Sequence, residues 1–240
     1  MSTITINAED LTVTRELKIS VPDMRWLAEG LLAATATNEA YGVICHAHLA
    51  ADGLSAIAEA TDKYRIHQMH LALRAPIDPV DVVIPHDALV WAKKNVRTFV
   101  PKKDSLIEPV AILEFTVPAI REDSPHAGWV SVIYREWDDD NAPSARFDAP
   151  LIADAYPSTS RVVDGIRMAP VGEPSPLVLD FIADARALQT AHTETPTIAY
   201  TVSETTGRPG PVLIDFWESS VLRATAVIQP SASNDEEDVR

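Results

Sequence analysis

The stretch Leu54-Ser-Ala-Ile-Ala-Glu-Ala-Thr-Asp-Lys-Tyr-Arg-Ile66 decides the fold. Residues 54–59 and 64–73 have the composition and patterning of strands. Between them Thr61-Asp62 marks a turn, since both side chains bond readily to nearby backbone amides. The stretch reads as strand, tight turn, strand.

Upstream, residues 11–19 alternate apolar and polar (Leu11, Val13, Leu17, Ile19) and predict a strand. Asp23 is the expected cap of a helix over 24–36, where Leu27, Leu31, Leu32 and Ala34 recur at helical spacing. A strand over 41–50 follows, and Asp52-Gly53 predicts a hairpin turn into 54–59. Downstream the cycle repeats: a strand over 80–84, a helix opened by Pro85-His86-Asp87 and running to about residue 98, and strands over 110–117, 129–137 and 145–151. A shorter third cycle has a helix over 177–190, with Leu177, Phe181, Ile182, Ala185 and Leu188 on one face. Strands over 197–203, 212–217 and 222–228 complete it.

Three strand-helix-strands units, without a residue-level repeat, predict an α+β fold with helices on one side of antiparallel sheet. Pro143, Pro150 and Pro157 punctuate the junction before the third unit, and residues 161–175, with Gly165, Pro170, Gly172 and Pro174, are the expected linker. The expected domains are 1–160 and 161–230, followed by a disordered acidic tail over 231–240.

The chain has 240 residues, 46% of them hydrophobic, enough to bury a core. Its formal charge of −15 repels nucleic acid at long range, so any DNA contact must come from a local basic patch or from a hole through which DNA threads. The acidity also argues against a membrane surface, and no apolar run reaches spanning length. Cys45 is the single cysteine, which excludes an intramolecular disulfide. With no signal-like leader, a reducing, cytoplasmic location is expected.

The opening stretch resembles a signature of the middle domain of bacterial DNA polymerase sliding clamps, an apolar strand followed by Ala-Thr-Asp-Gly-x-Arg-Leu. Ala60, Thr61, Asp62, Tyr64, Arg65 and Ile66 fit it, and Lys63 stands in place of the glycine. Three more matches follow in order. Ile84-Pro-His-Asp-Ala-Leu resembles the family's entry to its second helix, Tyr156-Pro-Ser-Thr-Ser-Arg-Val-Val163 resembles Phe-Pro-Asp-Tyr-Arg-Arg-Val, and Val227-Ile-Gln-Pro230 resembles Val-Val-Met-Pro. The resemblance covers roughly residues 11–230 and implies a shortened, phage-type member: a middle domain plus the second half of the last one. Family subunits carry six such units and close a ring as pairs. A ring of about twelve units would need about four copies of this chain.

The resemblance implies a non-enzymatic processivity factor. It would hold a DNA polymerase and other clamp-binding proteins on double-stranded DNA, load with a clamp loader and need no cofactor. Family partners insert a short peptide with aliphatic and aromatic anchors into an apolar pocket between two domains. The matching positions are Ile44, Thr61, Tyr64, Arg65, Ile66, Pro157, Arg161, Val162, Val227, Ile228 and Pro230. Ile44, Ile66, Val162 and Ile228 would be apolar walls, and Arg65 and Arg161 guanidinium donors. Taken singly, each aliphatic residue reads as ordinary core. Gln229 replaces a family methionine that gates the pocket. The DNA-facing candidates are Arg25, Lys93, Lys94, Arg97 and Arg186, with Lys102 and Lys103 after the second helix; their bland reading is a solvated charged face.

Other chemistry is weaker. Cys45, His46, His48, His67 and His70 suggest zinc, but the strand alternation expected here separates Cys45 from His46 and His48, and no CxxC pair is present. Asp138, Asp139 and Asp140 read as a solvated turn rather than a two-metal centre. No nucleophile elbow or phosphate-binding glycine loop occurs. The competing readings are a decoy or adaptor that keeps the peptide pocket without forming a ring, and a small metal-dependent hydrolase using the histidines.

Overall fold

The computed structural model describes residues 12–99, 108–118 and 127–230. The expected acidic tail, Leu11, Lys102 and Lys103 lie outside them. Strand β1 (Thr12–Ser20) leads directly into helix α1 (Val21–Leu32). Ser20, not Asp23, is the cap: its hydroxyl oxygen accepts the Asp23 amide at 3.0 Å, and Pro22 sits in the first turn, where a missing N–H costs nothing. The expected strand over 41–50 begins instead as a 3-10 turn over Glu39–Cys45.

Strand β2 (Ala47–Thr61) then runs unbroken through Asp52-Gly53. Gly53 does take the left-handed conformation its sequence context suggested, at φ +57°, but it sits where the β2–β3 register shifts, with the extra residues on β3, rather than at a chain reversal. The reversal comes at Asp62–Tyr64, and β3 (Arg65–Ile84) pairs antiparallel with β2 along its length. Helix α2 (His86–Asn95) and a 3-10 turn to Phe99 follow. Then come β4 (Val110–Pro118), β5 (Trp129–Arg135) and β6 (Ser144–Pro150). The expected linker begins as helix α3 (Thr159–Arg167), because Val163 and Ile166 form an apolar stripe that finds a surface to cover. Helix α4 (Leu179–Ala185), β7 (Thr197–Val202), β8 (Pro209–Glu218) and β9 (Val221–Ile228) complete the chain.

The strands form two antiparallel sheets, ordered β1-β4-β5-β6 and β2-β3-β9-β8-β7. The third unit joins the first edge to edge: Arg65 lies opposite Ile228, and Met69 opposite Ala224. Met69, Ala224, Ala226 and Ile228 turn into the main core with Met24, Leu27 and Leu31 of α1 and Leu89 of α2. Ile66 and Val227 turn the other way and meet α3. The helices are thus not all on one side as expected, since α3 covers the opposite face of the five-stranded sheet.

Helix α1 packs tightly against both β3 and the third unit. The Trp26 indole donates to the Leu188 carbonyl at 2.9 Å, and His67 is 2.7 Å from the Gly30 carbonyl. Gly30 leaves room for this approach, for a Cβ there would meet the Met69 sulfur at 2.7 Å. Among the described residues no helix is long and apolar enough to cross a membrane.

Candidate functional site

The Thr61–Arg65 hairpin is built from the side chains that mark it in the sequence. Thr61 Oγ1 donates to the Arg65 carbonyl at 2.7 Å and accepts the Lys63 amide at 3.2 Å. Asp62 Oδ1 accepts the amides of Tyr64 and Arg65 at 3.0 and 3.1 Å. Lys63 holds φ +84° at the position where the resembling pattern has glycine. The Gln229 amide donates to the Tyr64 carbonyl at 2.8 Å, tying the end of β9 to this turn.

Arg65 faces the helix layer. Its Nε donates to Asp62 at 3.0 Å, another guanidinium N–H donates to Asp184, and the group lies 4.7 Å from the Phe181 ring centre. Tyr64 stacks on the same ring, centroids 6.3 Å apart. Arg65 is therefore engaged within the chain, fastening α4 to the hairpin.

On the opposite face Ile66, Leu213 and Val227 pack with Val163, flanked by Ile166. Two polar anchors hold α3 across this cluster. At its start Glu59, only 2% exposed, accepts from Thr159 Oγ1 at 2.7 Å, Ser160 Oγ at 2.5 Å and Gln68 Nε2 at 2.8 Å, with His48 Nδ1 at 3.4 Å. Burial pushes the Glu59 carboxyl up, but hydrogen bonds from His48, Ser160, Gln68 and Thr159 outweigh it and hold it at about 2. At its end Arg167 pairs with both oxygens of Asp215, at 2.7 and 3.0 Å, and donates to Thr225 at 2.8 Å. His48 Nε2 lies 3.0 Å from Asp81, and its ring stacks on Tyr156 at 5.4 Å. Burial lowers the His48 pKa, yet the bonds to Glu59 and Asp81 prevail and leave it raised.

The eleven expected pocket residues divide between the two faces. Ile66 and Val227 join the α3 cluster, with Thr61 at the end of the adjoining strand. Pro157 and Arg161 line a cavity of about 620 Å³ with His48, Glu59, Asp81 and Tyr156. Arg161 also lines a second cavity of about 450 Å³ with Val162, Ile166 and Met168, and Val162 is 48% exposed. Tyr64, Arg65 and Ile228 belong to the helix face, Ile44 is buried outside the α3 cluster, and Pro230 follows β9 half-buried. Sequence reading does not assign Val163, Leu213, Ile166, Glu59 or His48 to this site, although it weighs His48 as a zinc ligand and Val163 ends a matched motif. Val163 and Ile166 carried a signal in their helical spacing, and Leu213 in the apolar run Val212-Leu213-Ile214.

Arg25, Lys93, Lys94 and Arg97 do converge, lining a cavity of about 590 Å³ between α1 and α2 with Glu29 and His86. Arg25 is partly neutralised by Glu29 at 3.1 Å. Arg186 stands apart, just after α4, a helix that also carries Asp180 and Asp184. Among the described residues no three His, Cys, Asp or Glu side chains are placed to hold a metal. Cys45 closes the 3-10 turn instead of lying on a strand, and His46 accepts the His86 amide at 3.1 Å. Of the acidic run, Asp138 pairs with Lys18 and Asp140 with Arg135.

No family model matches the chain, and no curated protein sequence matches it. Solved structures do. The DNA polymerase III β subunit of Thermotoga maritima superposes with a TM-score of 0.60 at 10% identity, over 97% of this chain and 68% of that one. The DNA polymerase sliding clamp of Pseudomonas aeruginosa gives 0.58 at 10% identity, over 91% and 66%. That of Bacillus subtilis gives 0.51 at 12%, over 91% and 64%. The chain has the sliding-clamp fold and spans about two thirds of the length of these clamps.

Proposed function

We propose that the chain is a sliding clamp: a non-catalytic ring that tethers a DNA polymerase and other replication proteins to duplex DNA through short peptides docked at α3. The observation that carries the reading is the division of labour between opposite sides of one sheet layer. One side bears α1 and α2 with Arg25, Lys93, Lys94 and Arg97 gathered in a single cavity. The other bears the α3 cluster, with Arg161 and Val162 at the surface between two cavities. Ammonium and guanidinium groups that meet phosphates without reading bases allow sliding, and only a few are needed when the ring itself prevents escape. An apolar docking surface on the far side leaves a tethered enzyme free to reach the same duplex.

The test is retention on circular DNA. The protein, with a clamp loader if one is required, is incubated with nicked plasmid and separated by gel filtration in high salt. Co-elution that is lost when the plasmid is linearised supports encirclement. Binding that is indifferent to linearisation, or no retention in any condition, overturns it.

The net charge of −15 and the Arg25–Glu29 pair favour one second reading. In it the chain keeps the α3 surface, forms no ring and works as a decoy or adaptor for clamp-binding proteins. Peptide binding without plasmid retention is its signature.

A further inference from the structure

The first two units cover one another. The apolar sides of α1 and α2 pack over a common core, and α1 buries seven of its twelve residues: Val21, Met24, Trp26, Leu27, Ala28, Gly30 and Leu31. Helix α4 belongs to the third unit and buries one of seven, Ala185. One flank of the α4 segment meets α1 through the Trp26–Leu188 bond. Its outward stripe is Leu179, Ile182, Ala183 and Arg186, at the i, i+3, i+4, i+7 spacing of a packing face. Leu179 is 78% exposed and Ile182 40%, and Ile198 on outermost strand β7 adds an apolar side chain 55% exposed.

We propose that this stripe is a two-fold self-association surface, on which α4 of one copy packs antiparallel against α4 of a second. Two observations choose a second copy over another partner. The first is charge. Asp180 stands near the start of the helix and Arg186 just past its end, both exposed and neither in an ion pair among the described residues. An antiparallel two-fold sets Asp180 of each copy beside Arg186 of the other, giving two equivalent pairs on either side of an apolar centre. The second is continuity. The outer edge of β7 is already taken at Tyr200–Val202, where Gly172 donates to Tyr200 and Val202 donates to Pro170. Growth by strand addition is limited there, and contact is directed to the helix side. The second copy would give the third unit the helix partner that the first and second units give each other.

The test is solution mass by sedimentation velocity over a wide concentration range. The parent chain is expected to show a reversible step from one copy to two, from which a ring of about four copies would build. Leu179→Glu and Ile182→Asp, both at exposed positions, are expected to leave thermal unfolding unchanged and to hold the protein at one copy. Asp180→Arg and Arg186→Asp are each expected to weaken association by about tenfold, and the double reversal to restore it. In a Cys45→Ser background, Ala183→Cys is expected to give a crosslinked pair on mild oxidation, since that position lies near the axis. A single-copy mass at every concentration, association indifferent to Leu179→Glu and Ile182→Asp, or charge reversals that do not rescue one another would overturn the proposal. The inference stands apart from the DNA reading. Loss of plasmid retention with the pair intact removes the clamp alone, and a closed assembly retained on circular plasmid whose mass is indifferent to Leu179→Glu and Ile182→Asp removes the α4 pairing alone.

Discussion

Thr159 donates its hydroxyl hydrogen to Glu59 at 2.7 Å, although 100 residues separate them in the chain. That bond sets where α3 begins, and so where Arg161 and Val162 stand. Removing the carboxylate leaves the buried hydroxyl of Thr159, and the amide of Gln68, short of an acceptor. Glu59→Ala is expected to cost about 3 kcal/mol in urea unfolding and to make α3 amides exchange faster with deuterium. Glu59→Gln, which keeps one acceptor oxygen, should cost about half as much.

The same carboxylate makes stability depend on acid. Glu59 is held at about 2 in the folded chain, below the 4.5 of a free glutamate, so its contribution is complete above about pH 4.5 and fades as pH falls toward 2. His48 acts with the opposite sign. Its folded pKa is raised above 6.5, so its contribution is complete below that value and is lost as pH climbs through the folded pKa. Urea midpoints across pH should fall on both sides, and His48→Gln should remove the alkaline decline and reduce the acid one, because His48 is one of the groups that hold Glu59 low.

Docking and stability should separate along α3. Val162→Asp changes a half-exposed side chain and is expected to alter stability by no more than about 0.5 kcal/mol. It should nevertheless abolish binding of a partner-derived peptide in fluorescence anisotropy. Ile66→Ala opens a space beneath Val163 and should cost about 3 kcal/mol. Arg65→Ala should destabilise the chain through its lost links to Asp62 and Asp184, with peptide affinity little changed.

On the basic side, Lys93→Glu, Lys94→Glu and Arg97→Glu together should lower plasmid retention and flatten its salt dependence, because three phosphate-seeking charges are inverted. Arg186→Glu, beyond that cavity, should act through the α4 pairing alone and leave the salt dependence of retention unchanged.

Much of this architecture is written in local pattern. The alternation of Val110, Ile112 and the residues after them, the helical spacing of Leu27 and Leu31, and Thr61-Asp62 each act over a few residues and are read directly. Asp52-Gly53 misleads for a physical reason: a left-handed glycine suits a bulge as well as a reversal, and only pairing with β3 decides between them. Helix α3 is masked by Gly165 and the nearby prolines, whose propensities oppose the long-range packing that stabilises it. Glu59 is hidden more deeply. A glutamate in a strand reads as solvent-facing until Thr159 and Ser160 arrive from far along the chain. Arg65 and Ile66 are adjacent in one matched motif, yet strand alternation sends them to opposite faces.

Strand β3 runs from Arg65 to Ile84, a contour of about 65 Å, and its pairing with β2 shifts register between Ala72 and Val80. One end meets β9 of the third unit, and the other feeds α2 through Pro85. A pull on a protein tethered at α3 would travel along this strand as tension. The bonds joining β3 to β2 would carry it in shear, many at once, instead of being peeled apart singly. On the proposed reading, a motor working against such a tether would load these bonds together, and its force would arrive at α1 and α2.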